Sequence, residues 1–272
     1  MSEQEANAAL AIGAHPDDIE FMMAGTLILL GRAGWSLHYM NLCDGRCGAA
    51  EGTVQQIVAT RDAESRRASD TIGATYHPPI AVDLQLAHDT PTIAKVVAVI
   101  RRVRPRVLLV HSPLDYMEDH TTAARIAVTA AFARGMPHFP SDPPATPITD
   151  DVTVYHALPY GLLDPLRNPV RPHLYVDITP AIDLNRRMLA CHESQARWLA
   201  ASQGVSYLDA LDRFARTVGE MSSRFQYAQG WQRRNHLGFS AADSDPLADA
   251  LPAVTEDAQD PNVLGPKGLG PV

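Results

Sequence analysis

The sequence predicts an α/β protein built on a mostly parallel, doubly wound sheet flanked by helices, with a C-terminal extension. Three observations support this. Residues 8–12 and 107–110 are apolar runs without alternation, the pattern of strands buried on both faces. Each run leads into a short loop bearing acids and a histidine, and then into a helical pattern. Strand and helix candidates alternate along most of the chain, as crossover connections between parallel strands require.

Taken in order, residues 8–13 form the first strand. Residues 18–31 read as one helix, with Phe21, Met22, Leu27, Leu29 and Leu30 on its apolar side and Gly31 and Gly34 near its end. A second strand covers 35–42, followed by the glycine-bearing loop 43–48. A charged amphipathic helix runs over 54–72 and is ended by Gly73. A short strand is expected at 80–82 and a helix at 90–103, which Pro105 stops. Residues 106–111 form the second clear buried strand, and a helix follows from 119 to 134. The proline-rich stretch 136–149 reads as a loop, and 152–158 and 174–178 as strands. Thr179 caps a helix with Pro180 in its first turn, running to about 201, and a last helix covers 207–227.

Residues 1–240 are read as one domain. Residues 241–272 carry Pro, Gly, Ala and Asp with little periodicity, and read as a flexible tail or an arm ordered against another subunit. Removing that tail is expected to leave the site intact.

The chain has 272 residues and a net charge of −8, but its last 32 residues hold six acids and one lysine, a contribution of −5. The remaining −3 gives no electrostatic reason to bind nucleic acid or an anionic membrane. Three cysteines without a pairing framework favour a reducing compartment. Cys43 and Cys47 are read as small residues in a turn; as a thiol metal pair their spacing is too wide and no second pair exists. The first residues lack the basic stretch of a signal peptide, and no apolar run approaches membrane-spanning length. A cytoplasmic protein is expected.

The chemistry concentrates in Ala14-His15-Pro16-Asp17-Asp18, where the first strand gives way to a helix. In such sheets ligands bind at the carboxyl ends of the strands. His15 and Asp18 offer nitrogen and carboxylate ligands to a divalent ion, and Asp119-His120, on the matching second loop, offers a third. Asp17 is then spare and suited to proton transfer. On spacing alone, a turn or helix cap explains the acids equally well.

The motifs together resemble the PIG-L/LmbE-like family of zinc-dependent N-deacetylases. Besides Ala14-His15-Pro16-Asp17-Asp18, Arg61-Asp62-Ala63-Glu64 is similar to the family's Arg-x-x-Glu. Asp115 with Asp119-His120 is similar to its second metal motif, and His192-Glu193-Ser194-Gln195 to its His-x-Ser-Gln segment. The resemblance spans about 8–200. It implies a Rossmann-like fold and hydrolysis of an N-acyl group, most often acetyl on a glucosamine-type sugar. It also implies Zn2+ as cofactor, held by His15, Asp18 and His120, with Asp17 as the general base toward metal-activated water. Arg61 is the implied substrate or Asp17 contact. Asp44 and Arg46, on the loop after the second strand, and His192 and His236 are further substrate-binding candidates. A small N-acylated molecule is the implied partner, and a homo-oligomer the expected assembly.

One departure stands out. Family members often carry a histidine three positions before the last ligand, where this chain has Met117, and a thioether donates no proton. His192, His236, Tyr116 and Arg61 are candidates for the missing role. The departure keeps two alternatives open: an amidase for a thiol conjugate or non-sugar amide, and a non-catalytic metal- or carbohydrate-binding relative. Retention of Asp17 disfavours the second. A nucleotide-binding protein is disfavoured because no Gly-x-Gly-x-x-Gly follows the first strand.

Overall fold

A computed structural model describes residues 7–204 and 206–257. Five parallel strands form its centre: β1 (Ala8–Gly13), β2 (Ser36–Asn41), β3 (Thr75–His77), β4 (Val107–Val110) and β5 (Thr153–Ala157). The strands β6 (Leu174–Asp177), β7 (Ala228–Arg233) and β8 (Thr255–Asp257) extend the sheet by antiparallel pairing. The order is β3-β2-β1-β4-β5-β7-β6-β8. Chain direction across the sheet therefore reverses between β1 and β4, and the loops leaving these two strands sit side by side at the carboxyl edge. That is the crevice where open α/β sheets bind ligands.

Alternate residues of the central strands feed two cores. Ala9, Ala11, Tyr39, Val107 and Leu109 pack with α1 (Asp18–Met22), α2 (Ala24–Arg32), α6 (Ile182–Ala190) and α8 (Tyr207–Ser222). Leu10, Ile12, Met40, Leu108 and Val110 pack with α4 (Thr90–Val103) and α5 (Glu118–Ala133). Strand residues point alternately to opposite faces, so both faces are buried only because every position is apolar or small. Local sequence sets several helix ends. Thr53 and Gln56 form a capping box that starts α3 (Val54–Asp70). The Asp89 carboxylate accepts the Thr92 N–H to start α4.

Four sequence expectations need correction. The helix over 18–31 breaks at Met23, giving α1 and α2. The short strand lies at Thr75–His77, while Ala81 makes only a single bridge to Cys43. The helix over 179–201 divides into α6 and α7 (Glu193–Gln203), because the Glu64 carboxylate accepts both the N–H and the hydroxyl of Ser194 and restarts the helix there. The helix expected over 207–227 ends at Ser222, and an unexpected strand, β7, begins at Ala228. Its Gln229 accepts hydrogen bonds from the backbone and hydroxyl of Thr26, whose oxygen accepts from the Trp231 indole.

The expected tail is corrected over 241–257. Pro246–Ala250 forms α9, Leu247 and Leu251 are buried in the first core, and β8 pairs with β6. The Tyr155 hydroxyl donates to Asp245 at 2.6 Å, tying the segment to β5. The rest of the expected tail, 258–272, lies outside the described residues. No helix among the described residues is long and apolar enough to cross a membrane.

Candidate active site

Gly13 ends β1 under close constraint: a Cβ there would stand 2.4 Å from the Asn41 amide oxygen. The chain then turns through Pro16 and enters α1. Asp18, the first residue of α1, reaches back to accept the backbone N–H groups of Ala14 (3.1 Å) and His15 (2.7 Å). This fold-back leaves Asp17 at φ 111°, a left-handed conformation that a residue with a side chain seldom adopts. Such strain concentrates at functional sites. Across the crevice, Asp115 accepts the Met117 N–H at 3.0 Å and brings His120 into the first turn of α5.

The two loops converge on Asp18. His15 Nδ1 lies 3.5 Å and His120 Nε2 3.2 Å from its carboxylate oxygens. The opposite nitrogen of each ring faces a further carboxylate: His15 Nε2 is 2.9 Å from Asp119, and His120 Nδ1 is 3.1 Å from Asp115. Asp119 is itself held by the Leu84 N–H at 2.7 Å. Metal-binding histidines are commonly oriented in this way, with the outer nitrogen on a carboxylate.

Ligand atoms of His15, Asp18 and His120 all lie within 4.8 Å of one another. Two other groups meet the same distance, His111 with Asp115 and His120, and His15 with Cys43 and Asp83. The chemistry of the donors disfavours the His15–Cys43–Asp83 group. Both Asp83 oxygens accept backbone N–H groups, from Gly45 and Cys47, and burial pushes the Cys43 thiol far up. In the other, His111 Nε2 accepts the Ala14 N–H at 2.9 Å while its buried Nδ1 is unpaired, so that group is a second candidate sharing His120. In the first group, buried His120 Nε2 has no hydrogen-bond partner and faces the two other ligands. His15, Asp18 and His120 therefore fit a divalent ion of the zinc type.

Without an ion, burial disfavours the charged imidazoles, but the surrounding carboxylates outweigh it. His15, against Asp119 and Asp18, and His120, against Asp18 and Asp115, are each pushed up to about 10. A divalent ion must displace those protons. Zinc binding at pH 7 is expected to release protons, and affinity to rise with pH until the rings titrate. The sign for the zinc-free protein is opposite. Histidines raised above their ordinary 6.5 give stability that is full below about 6.5 and lost as pH climbs through about 10. Calorimetric titration of Zn2+ in buffers of different ionisation enthalpy measures the release; a proton-neutral uptake at pH 7 would contradict this ligand set.

Asp17 stands next to this group without joining it. The Tyr207 hydroxyl donates to its carboxylate at 2.5 Å, and the Arg61 guanidinium lies 3.7 Å away. Burial raises the Asp17 carboxyl, with Arg61 opposing. Arg61, 2% exposed, also donates to the Pro16 carbonyl (2.7 Å) and to Gln195 (2.8 Å). The segments Arg61–Glu64 and His192–Gln195 are thus one joint: Arg61 meets Gln195 and Glu64 meets Ser194.

These groups form the floor of a cavity of about 400 Å³, which Met117 also lines. Four of the expected substrate contacts do not line it, for physical reasons. Asp44 and Arg46 are engaged with each other by a bidentate pair, with the closest contact 2.6 Å. His192 is fully buried behind α1, 3.3 Å from Glu20. His236 lies on the loop after β7, 3.9 Å from Asp243. Sequence reasoning missed Tyr207, Trp198, Tyr160 and Leu84. A tyrosine opening an amphipathic helix 190 residues from Asp17 looks like any core aromatic, and no local signal distinguishes it.

A parallel sheet with a His/Asp cluster and a further carboxylate at its switch point defines an α/β protein with residues able to bind a metal. Residues 10–131 match the family described as PIG-L: GlcNAc-PI de-N-acetylase. Over that stretch the chain is similar to this deacetylase family. It is 27% identical over 192 residues to diacetylchitobiose deacetylase from Thermococcus kodakarensis, covering 68% of this chain and 69% of the relative. It is also 27% identical over 240 residues to 4-oxalmesaconate hydratase from Pseudomonas putida, covering 83% and 88%. The structure of N,N'-diacetylchitobiose deacetylase from Pyrococcus horikoshii shares the fold, with a TM-score of 0.72 at 20% identity over 88% of each chain.

Proposed function

We propose that this protein is a zinc-dependent hydrolase that removes an N-acyl group, acetyl in the first instance, from a small amine such as an N-acetylglucosamine-type conjugate. The observation that carries this reading is Asp17: a buried carboxylate beside the ligand group, held by Tyr207 and not used as a ligand. A structural metal site has no use for it. When bound by His15, Asp18 and His120, zinc would polarise the acyl oxygen and make water acidic enough to attack at neutral pH.

The chain supplies the proton handling. Asp17 is placed to take a proton from the attacking water and to return it to the departing amine. Burial raises its carboxyl, which eases the return of the proton to the departing amine. Tyr207 and Arg61 restrict its orientation. Met117 occupies the position of the usual second acid, so Asp17 performs both transfers. The exposed Tyr116, which also lines the cavity, is the nearby hydroxyl able to donate to the acyl oxygen. The three free cysteines support the cytoplasmic setting of this reading.

The second relative raises hydration of an unsaturated polycarboxylate as another reading, and charge opposes it. Arg61 is the only Lys or Arg lining the cavity among the described residues, and it is tied to Pro16, Gln195 and Asp17. Asp17, Asp18 and Asp83 line the same space. The test is release of free amine from a panel of N-acetylated amino sugars and amines, with zinc against chelator, beside hydration of 4-oxalmesaconate. Chelator-sensitive amine release is expected. Hydration without amine release overturns the proposal.

A further inference from the structure

The cavity above the ligand group is walled by aromatic rings. Phe21 on α1 meets Tyr207 edge-on, with ring centroids 5.1 Å apart, and Tyr160 at 6.0 Å. Tyr160 in turn packs on Phe214 at 5.6 Å. Of this row Phe21, Tyr160 and Tyr207 line the cavity, and the Tyr207 hydroxyl is on Asp17. Trp198 and Leu199, from α7, provide another wall. Tyr160 is 39% exposed and Leu84, on the rim, 71% exposed, so large apolar surface is left in water at the opening. Apolar surface gathered at a cavity mouth marks a place where a ligand covers it.

The charges narrow the occupant. Acids line the floor, and Arg61 has both terminal nitrogens engaged by protein acceptors while its Nε is buried beside Gly45. Apart from the imidazoles of the ligand group, an anionic group there would meet no free lysine or arginine. The charged groups best suited to grip sugar hydroxyls are also committed: Asp83 to the Gly45 and Cys47 N–H groups, and Arg61 as above. Offset or edge-to-face packing on the aromatic rings is the main apolar hold offered to a ligand, and it favours a flat, uncharged ring.

We infer that the substrate carries an uncharged aromatic ring next to the reacting amide, held in the cleft between Phe21–Tyr160 and Trp198. This rests on the deacylase reading for the word substrate; the subsite itself does not. Specificity then comes from Tyr160 and Trp198, which touch the ring and not the bond that breaks. An aromatic ring and the C–H face of a pyranose both offer an apolar plane, and the comparison below separates them.

Zinc-loaded protein is titrated calorimetrically with methyl, cyclohexyl and phenyl β-D-glucopyranoside, none of which has an amide to hydrolyse. The phenyl glucoside is expected to bind at least about tenfold more tightly than the methyl, with the cyclohexyl between them, as an aromatic contact of ~1 kcal/mol beyond area burial implies. Trp198→Ala and Tyr160→Ala should bring the phenyl-to-methyl ratio close to one, and Trp198→Phe should restore most of it. Both side chains are partly exposed, so the variants should fold, and thermal melts check this. Phenyl and methyl glucosides binding within twofold of each other, or not at all, overturns the inference. So does a phenyl preference that survives both alanine variants. A phenyl preference lost in the variants, with no amine released from any N-acyl amine, leaves the subsite standing and removes the deacylase reading.

Discussion

Zinc-loaded Asp17→Asn protein is expected to lose turnover of N-acyl amines by a factor of about 10²–10⁴, the usual contribution of a positioned acid–base group. Its zinc content should stay near that of the wild type. The substitution is close to isosteric. An asparagine oxygen can still accept the Tyr207 hydroxyl, and asparagine tolerates the left-handed conformation at this position better than most residues. What it removes is the ability to take a proton. The Asp17 carboxylate is not one of the three groups within ligand distance, so metal binding should survive. Because Met117 donates no proton, no second side chain at that position compensates. The loss should therefore appear in kcat more than in KM. Equal amounts of zinc and undiminished kcat in the variant would eliminate Asp17 as the proton-transfer group.

Truncation after Ser240 should do the opposite kind of damage: it should unfold the protein without touching the ligand group. It removes Leu247 and Leu251, both buried, along with β8 and the Asp245 carboxylate that accepts the Tyr155 hydroxyl. Losing two buried leucines alone costs about 4–10 kcal/mol, against a total stability of roughly 5–15 kcal/mol for a folded domain. A fall in melting temperature of at least about 10 °C, or insolubility, is expected. Truncation after Asp257 keeps these contacts and is the control. A Ser240-truncated chain that melts within two or three degrees of that control would show that the segment contributes little.

The segment illustrates why composition misleads at chain ends. Residues 241–257 are rich in Ala, Asp and Pro, and their two important leucines are four apart, one in a helix of one turn and one just after it. No periodicity can be read from so short an element. Its order comes from β6, Tyr155 and the core it covers, all distant in sequence. β7 escaped for a related reason. Gln229 and Gln232 make it look polar, yet Thr26, some two hundred residues earlier, supplies the partner that lets Gln229 be buried. By contrast, β1, β4, α4 and α5 were legible within two residues. Continuous apolar runs and capping acids are local signals that tertiary contacts had no reason to override.

The candidate site divides along the same line. The residues His15, Asp17, Asp18 and His120 were identifiable from sequence, because a strand end, a turn and a helix start determine together where short polar side chains stand. Only the folded chain determined what surrounds them: Asp119 and Asp115 behind the two imidazoles, Tyr207 on Asp17, and the joining of Arg61 to Gln195. It also removed Asp44, Arg46, His192 and His236 from the cavity and put Trp198 and Tyr160 into it. The sequence alone put forward the candidate reactive groups, since these are neighbouring residues on two loops. The tertiary structure decided orientation, charge and access, since these depend on groups brought together from α7, α8 and the loop before α4 by packing that leaves no local trace.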